Sequence, residues 1–173
     1  MMSNPQNNPL PLWRVPAVLP LLIVALLAEM GYAVLNISAM PVYLKYDRGL
    51  GEGLIGLVVT AFLLSEAVFK GLMGHLSDRF GRRMLISIGP ILTIFTSIFT
   101  LLLPREIGAI EPVVLVFLRV VDGIGAAMLW PAAFALMGEL VSEKCQQEGL
   151  SLLNACYFIG IAIALPIGGT VND

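Results

Sequence analysis

The chain has 173 residues, of which 58% are hydrophobic and only 13% charged, with a formal charge of -2 and a mean hydropathy of +0.89. Soluble domains carry about 25% charged residues, so the composition predicts an all-α, lipid-embedded helical bundle rather than a soluble domain. Neither a basic tail nor an aromatic-basic face points to nucleic acid, and no Walker loop, Ser-His-Asp set or metal-ligand spacing points to an enzyme, a metal or a cofactor.

Residues 1–15 are polar and proline-rich and predict a mobile tail. The apolar run that follows is too long for a signal peptide. A first span is expected from about Ala17 to Tyr43, with Glu29 in its middle and Asn36, Ser38 and Pro41 towards its far end. A polar connection, Lys45 to Glu52, leads to a second span from about Leu54 to Met73 that carries Glu66 and Lys70.

The run Gly74 to Ile86 is the densest stretch of charge, and it reads as a polar turn at the membrane surface. Gly74 and Gly81 permit a tight backbone, and Asp78 can accept from backbone N–H groups or pair with a guanidinium. Arg79, Arg82 and Arg83 form a basic cluster. The third span, about Met84 to Leu103, has no ionisable residue within the membrane, so it faces lipid or simply packs. The fourth, about Pro112 to Met137, carries Arg119, Asp122, Gly123, Gly125 and Pro131. An acidic loop over Gly138 to Gly149 precedes a fifth span from about Leu150 to Ile167. Cys145 and Cys156 read as free thiols, Trp13 as an interfacial anchor, His75 as solvated, and Trp130, Phe134, Met30 and Met137 as packing or lipid-facing residues.

The positive-inside rule sets the orientation. With the N-terminus inside, the inner set is Arg14, Lys70, Arg79, Arg82, Arg83 and Lys144, and the outer set is Lys45, Arg48 and Arg105. The excess predicts a cytoplasmic N-terminus and a multi-pass protein of the cell membrane.

The spacing Gly74-x-Leu76-x-Asp78-Arg79-x-Gly81-Arg82-Arg83-x-x-Ile86 resembles the loop between helices two and three of the major facilitator superfamily of transporters. That resemblance implies the first half of a twelve-helix fold, here about five helices of a six-helix N-terminal half, with the remaining C-terminal helices as partners. It implies alternating access, a small-molecule substrate near the midplane and, for the loop, a conformational latch. On this reading the chain is part of a longer protein. The run Leu115-x-x-x-Arg119-x-x-Asp122-Gly123-x-Gly125-Ala126-Ala127 resembles the family's fourth-helix motif, whose arginine is implicated in proton coupling. The position of Asp122 is often uncharged there, so Asp122 either neutralises Arg119 or carries the proton.

Gly160-x-x-x-Ala164-Leu165-x-x-Gly168-Gly169 resembles the fifth-helix motif of the antiporter branch, with Ala164 for glycine and Leu165 for proline. A packing face and an antiporter signature both stand. The expected function is thus a proton-coupled small-molecule or drug antiporter. A sugar or metabolite importer and a non-transporting membrane scaffold are the alternatives.

Ionisable residues within spans cost about 2.5–3.5 kcal/mol each on insertion scales and so mark pairs or a wet cavity. Glu66 and Lys70, four apart, share a helix face, as do Arg119 and Asp122, three apart. Each pair is either structural or cavity-lining. Glu29 precedes Pro41 by twelve residues, as Arg119 precedes Pro131, and Gly74-x-x-x-Asp78 recurs as Gly169-x-x-x-Asp173. Spans one and four would then be counterparts in an inverted repeat. From this we expect Glu29 and Arg119 at matching depths, joined as an ion pair across the cavity.

Overall fold

A computed structural model describes the backbone of residues 12–104 and 108–171, and side chains as far as residue 167. Among the described residues, five helices are long and apolar enough to cross a membrane. They are α1 (Val18–Asp47), α2 (Glu52–Phe80), α3 (Arg82–Leu102), α4 (Glu111–Leu140) and α5 (Glu143–Val171). No strand occurs among the described residues.

The helices overrun the spans expected from hydropathy. At 1.5 Å per residue, the 29 residues of α2 extend well past a hydrocarbon core of about 30 Å. Their charged ends read as loop in sequence but remain helical in the headgroup zone. The expected turn from Gly74 to Ile86 is therefore corrected. Gly74 to Phe80 complete α2, and Gly81 alone separates α2 from α3. Gly81 has φ 96° and ψ 133°, a conformation reserved in practice for glycine. The acidic loop expected over Gly138 to Gly149 contracts likewise to Val141 and Ser142. Residues 1–11 of the expected tail and Arg105 lie outside the described residues, whereas Leu12 to Arg14 form a short 3-10 turn with Leu12 only 2% exposed. Leu12 is apolar enough to dock in the core against α4 and α5, near Met137 and Gly149.

Helix α4 is the hub: it packs extensively on α2 and α3 and also touches α1 and α5, while α1 packs on α5. Its small residues permit this. A Cβ on Gly123 would collide with the Ser65 hydroxyl and the Phe62 carbonyl of α2, and Ala126, Ala127, Ala132 and Ala133 are buried. Helix α3, which lacks an ionisable residue within the membrane, does both things expected of it. Ile91, Ile94, Phe95 and Phe99 are exposed, while Thr93, Thr96 and Thr100 are buried and face the polar centre described next.

Candidate functional site

The centre of the site is Arg119, whose side chain is buried in the first third of α4. One terminal nitrogen, Nη1, donates to Asp122 Oδ2 at 2.8 Å and to Asn36 Oδ1 at 3.0 Å. The other, Nη2, donates to Thr100 Oγ1 at 3.1 Å. The i, i+3 spacing fixes the first contact, since both side chains leave the same face of one helix. Asn36 reaches Arg119 from α1, where residues Val34–Ala39 form π-helical turns; such turns often accompany functional sites. Asp122 Oδ1 and the hydroxyls of Tyr32 and Thr93 are buried without a well-aligned hydrogen bond, although Thr93 lies within looser hydrogen-bonding reach of both Tyr32 and Asp122. A buried carboxylate oxygen with only loosely placed hydroxyl donors leaves a position for a proton.

A second rung lies deeper along α1 and α4. Trp130 Nε1 donates to Glu29 Oε2 at 2.9 Å. Trp130 follows Arg119 by three helical turns, about 16 Å along the axis, so the expected Glu29–Arg119 ion pair does not form. Inverted topology supplies the reason. Inverted counterparts sit at mirrored depths on opposite sides of the midplane, not at matching ones. On α1 the partners run Glu29 then Asn36; on α4 they run Trp130 then Arg119. The two helices therefore point in opposite directions across the membrane.

Between the rungs lies a pocket of about 70 Å³, bordered by Glu29, Tyr32, Asn36, Glu66, Trp130 and Tyr157 among others. It has room for about two waters. The Tyr157 ring meets Trp130 edge-on, centroids 5.1 Å apart. Glu66 pairs with Lys70 at 2.7 Å, as their spacing predicts, while also bordering this pocket.

The helix-five motif faces Glu29. A Cβ on Gly160 would lie 3.0 Å from Glu29 Cβ and Cγ, and Ala164 is fully buried. The motif thus packs α5 against α1 at the level of the buried acid. The surroundings of Gly168 and Gly169, and the repeat of Gly169 with Asp173, lie outside the described residues.

At the end of α2, Arg82 joins three groups. It pairs with Asp78 Oδ1 at 3.0 Å and Glu139 Oε1 at 2.7 Å, and it donates to the Ala135 carbonyl at 2.7 Å. Asp78 therefore uses its carboxylate for a guanidinium rather than for a helix cap. Gly74 faces Pro131 of α4, 3.8 Å from Cβ to Cβ were a methyl added there. Arg79 lies over the Phe80 ring, and Arg83 gives its carbonyl to Ser87.

Asn36, Thr100, Trp130 and Glu139 were not singled out as site residues by sequence. Spacing carried a signal for two of them. Asn36 lies seven residues from Glu29 and Trp130 eleven from Arg119, each on the same helix face as its neighbour. Thr100 and Glu139 required knowledge of which helices touch.

The sequence model of the Major Facilitator Superfamily matches residues 21–173. The chain belongs to that superfamily. It is 31% identical over 139 residues to the quinolone resistance protein NorA of Staphylococcus aureus, covering 80% of this chain and 34% of that protein. It is 28% identical over 120 residues to multidrug resistance protein 1 of Bacillus subtilis, covering 69% of this chain and 29% of that protein. The chain thus spans about a third of the length of the relatives it matches. With five apolar helices of membrane length, it is a multi-pass membrane protein of a transporter family, the architecture expected from composition.

Proposed function

We propose that this chain is the N-terminal part of a secondary transporter that exports small organic molecules in exchange for protons, by alternating access between two helical halves. The observation that carries the proposal is the Arg119–Asp122 pair, buried within the bundle. Arginine keeps its charge at physiological pH, so it cannot be the carrier. Asp122 has one oxygen on Arg119 and one without a well-aligned donor, which suits a carboxyl that binds and releases a proton as the cavity opens to each side. Drug resistance in the names of both relatives supports export of drug-like molecules, and the aromatic and acidic pocket wall supports aromatic substrates. Glu29 and Glu66 would contact substrate or serve as secondary proton sites.

In the complete transporter, reconstituted in vesicles, Asp122→Asn should abolish proton-driven accumulation of ethidium while leaving downhill exchange. Arg119→Lys should be poorly tolerated, because a point charge does not replace the planar fork. Proton movement with ethidium at the wild-type ratio in Asp122→Asn would make Asp122 structural.

The proposal places the N-terminus and the Arg82 end of α2 in the cytoplasm of a cell membrane. In a background with Cys145 and Cys156 replaced by serine, a cysteine at the exposed His75 should resist impermeant thiol reagents in intact cells and react after permeabilisation. Ser77 would be a poor reporter, since it is 1% exposed. Ready labelling of His75→Cys in sealed cells would reverse the topology.

A further inference from the structure

By charge count Arg48 is only one of the outer cations, yet its side chain is 1% exposed and all five of its N–H groups are used. Nε donates to the Tyr43 hydroxyl at 2.8 Å. Nη1 donates to the Pro104 carbonyl at 3.1 Å and to Glu111 Oε1 at 3.0 Å. Nη2 donates to the carbonyls of Thr100, at 3.2 Å, and Leu103, at 2.5 Å. One side chain thus fastens the end of α1 to carbonyls at the end of α3, which have no intrahelical donor or share one, and to the first residue of α4.

Thr100 is the residue at which this clasp meets the Arg119 centre. Its carbonyl accepts from Arg48, while its hydroxyl accepts from Arg119 Nη2 at 3.1 Å and donates to the Thr96 carbonyl at 2.7 Å. The last turn of α3 therefore carries a continuous polar path from Glu111 through Arg48 and Thr100 to Arg119, Asp122 and Asn36.

We propose that Arg48 is a positioning residue for the coupling centre, acting through Thr100 to hold the Arg119 guanidinium between Asp122 and Asn36. This rests on the reading of Arg119 and Asp122 as the coupling pair. Without Arg48, the α3 end loses a donor to three carbonyls and the Thr100 hydroxyl loses its fixed height. Arg119 then keeps only Asp122 and Asn36 as partners.

The test compares wild type, Arg48→Lys, Thr100→Val and the double variant in the complete transporter. Lysine keeps a cation for Glu111 but offers three donors from a single atom, so it cannot span the carbonyls. Thr100→Val keeps the carbonyl and removes only the hydroxyl. The first readout is the pH profile of ethidium–proton exchange in vesicles, normalised to reconstituted protein. Both single variants should displace the profile in the same direction, and the double variant should match Thr100→Val.

The second readout is the melting temperature of the same four proteins in detergent, which requires no transport. The two losses should be sub-additive, because the hydroxyl contact has already weakened once Arg48 is changed. A wild-type pH profile in Arg48→Lys, or additive losses in both readouts, would overturn the proposal. If wild type moves no protons with ethidium, the coupling reading itself is at fault. The melting cycle then decides the linkage alone: sub-additive losses support it and additive losses overturn it.

Discussion

Arg48 and Arg82 perform the same local task at opposite ends of α2. Each binds an acid on another helix and helix carbonyls nearby, Arg48 those at the end of α3 and Arg82 that of Ala135 in the last turns of α4. They differ in burial. The Arg48 side chain is 1% exposed and that of its partner Glu111 is 11% exposed. Arg82 is 22% exposed, with Asp78 at 66% and Glu139 at 58%. Solvated ion pairs contribute about 0–1 kcal/mol and exchange readily with water. Removing one partner of a buried pair costs about 3–5 kcal/mol. The clasp at Arg48 is therefore a fixture of the bundle, whereas the one at Arg82 is cheap to open, as the proposed transport cycle would require.

Ranked by effect on stability, the first way to break this comparison is to truncate both arginines. Arg48→Ala strands Glu111 and the α3 carbonyls and should lose about 3–5 kcal/mol, read as a large fall in melting temperature and in folded yield. Arg82→Ala should lose no more than about 1 kcal/mol. Equal losses would remove the distinction between fixture and latch. Next comes Gly81→Ala. At φ 96° a Cβ is strained, and a cost of about 1–3 kcal/mol is expected, between the two arginine variants. A melting temperature unchanged by this substitution would mean that the break between α2 and α3 relaxes freely.

The legible parts of the chain were those decided within one helix. Five spans followed from hydropathy, and the Glu66–Lys70 and Arg119–Asp122 contacts followed from a turn's spacing. Helix ends were misplaced because charge marks where lipid stops, not where the helix stops: Asp78 and Arg79 lie on the last turn of α2, outside a bilayer-length core. Contacts between helices depend on neighbour and depth, neither of which spacing encodes. Hence Glu29 was assigned to Arg119 rather than to Trp130, Arg48 was counted as a topogenic charge, and Glu139 was absorbed into an acidic loop.

The smallest expected change in stability, and the sharpest test of the latch, is Asp78→Asn. The substitution removes one charge from a carboxylate that is mostly solvated, and Arg82 keeps Glu139 at 2.7 Å and the Ala135 carbonyl at 2.7 Å. Folding should therefore change by less than about 1 kcal/mol, and membrane abundance should stay near wild type. Transport is a different matter if the clasp at Arg82 holds α2 to the end of α4 in one of two states. A ligand-driven cycle needs each state to be stabilised in turn, and a neutral amide no longer draws Arg82 back towards α2 with the strength of a charged hydrogen bond. Ethidium efflux by the complete transporter should then fall severely at unchanged abundance. Raising the salt concentration should weaken wild-type transport towards the mutant level, because exposed charges are screened, and should do little to Asp78→Asn. Normal efflux in Asp78→Asn would reduce the Arg82 cluster to a signal for orientation, and the contrast with Arg48 would then be one of burial alone.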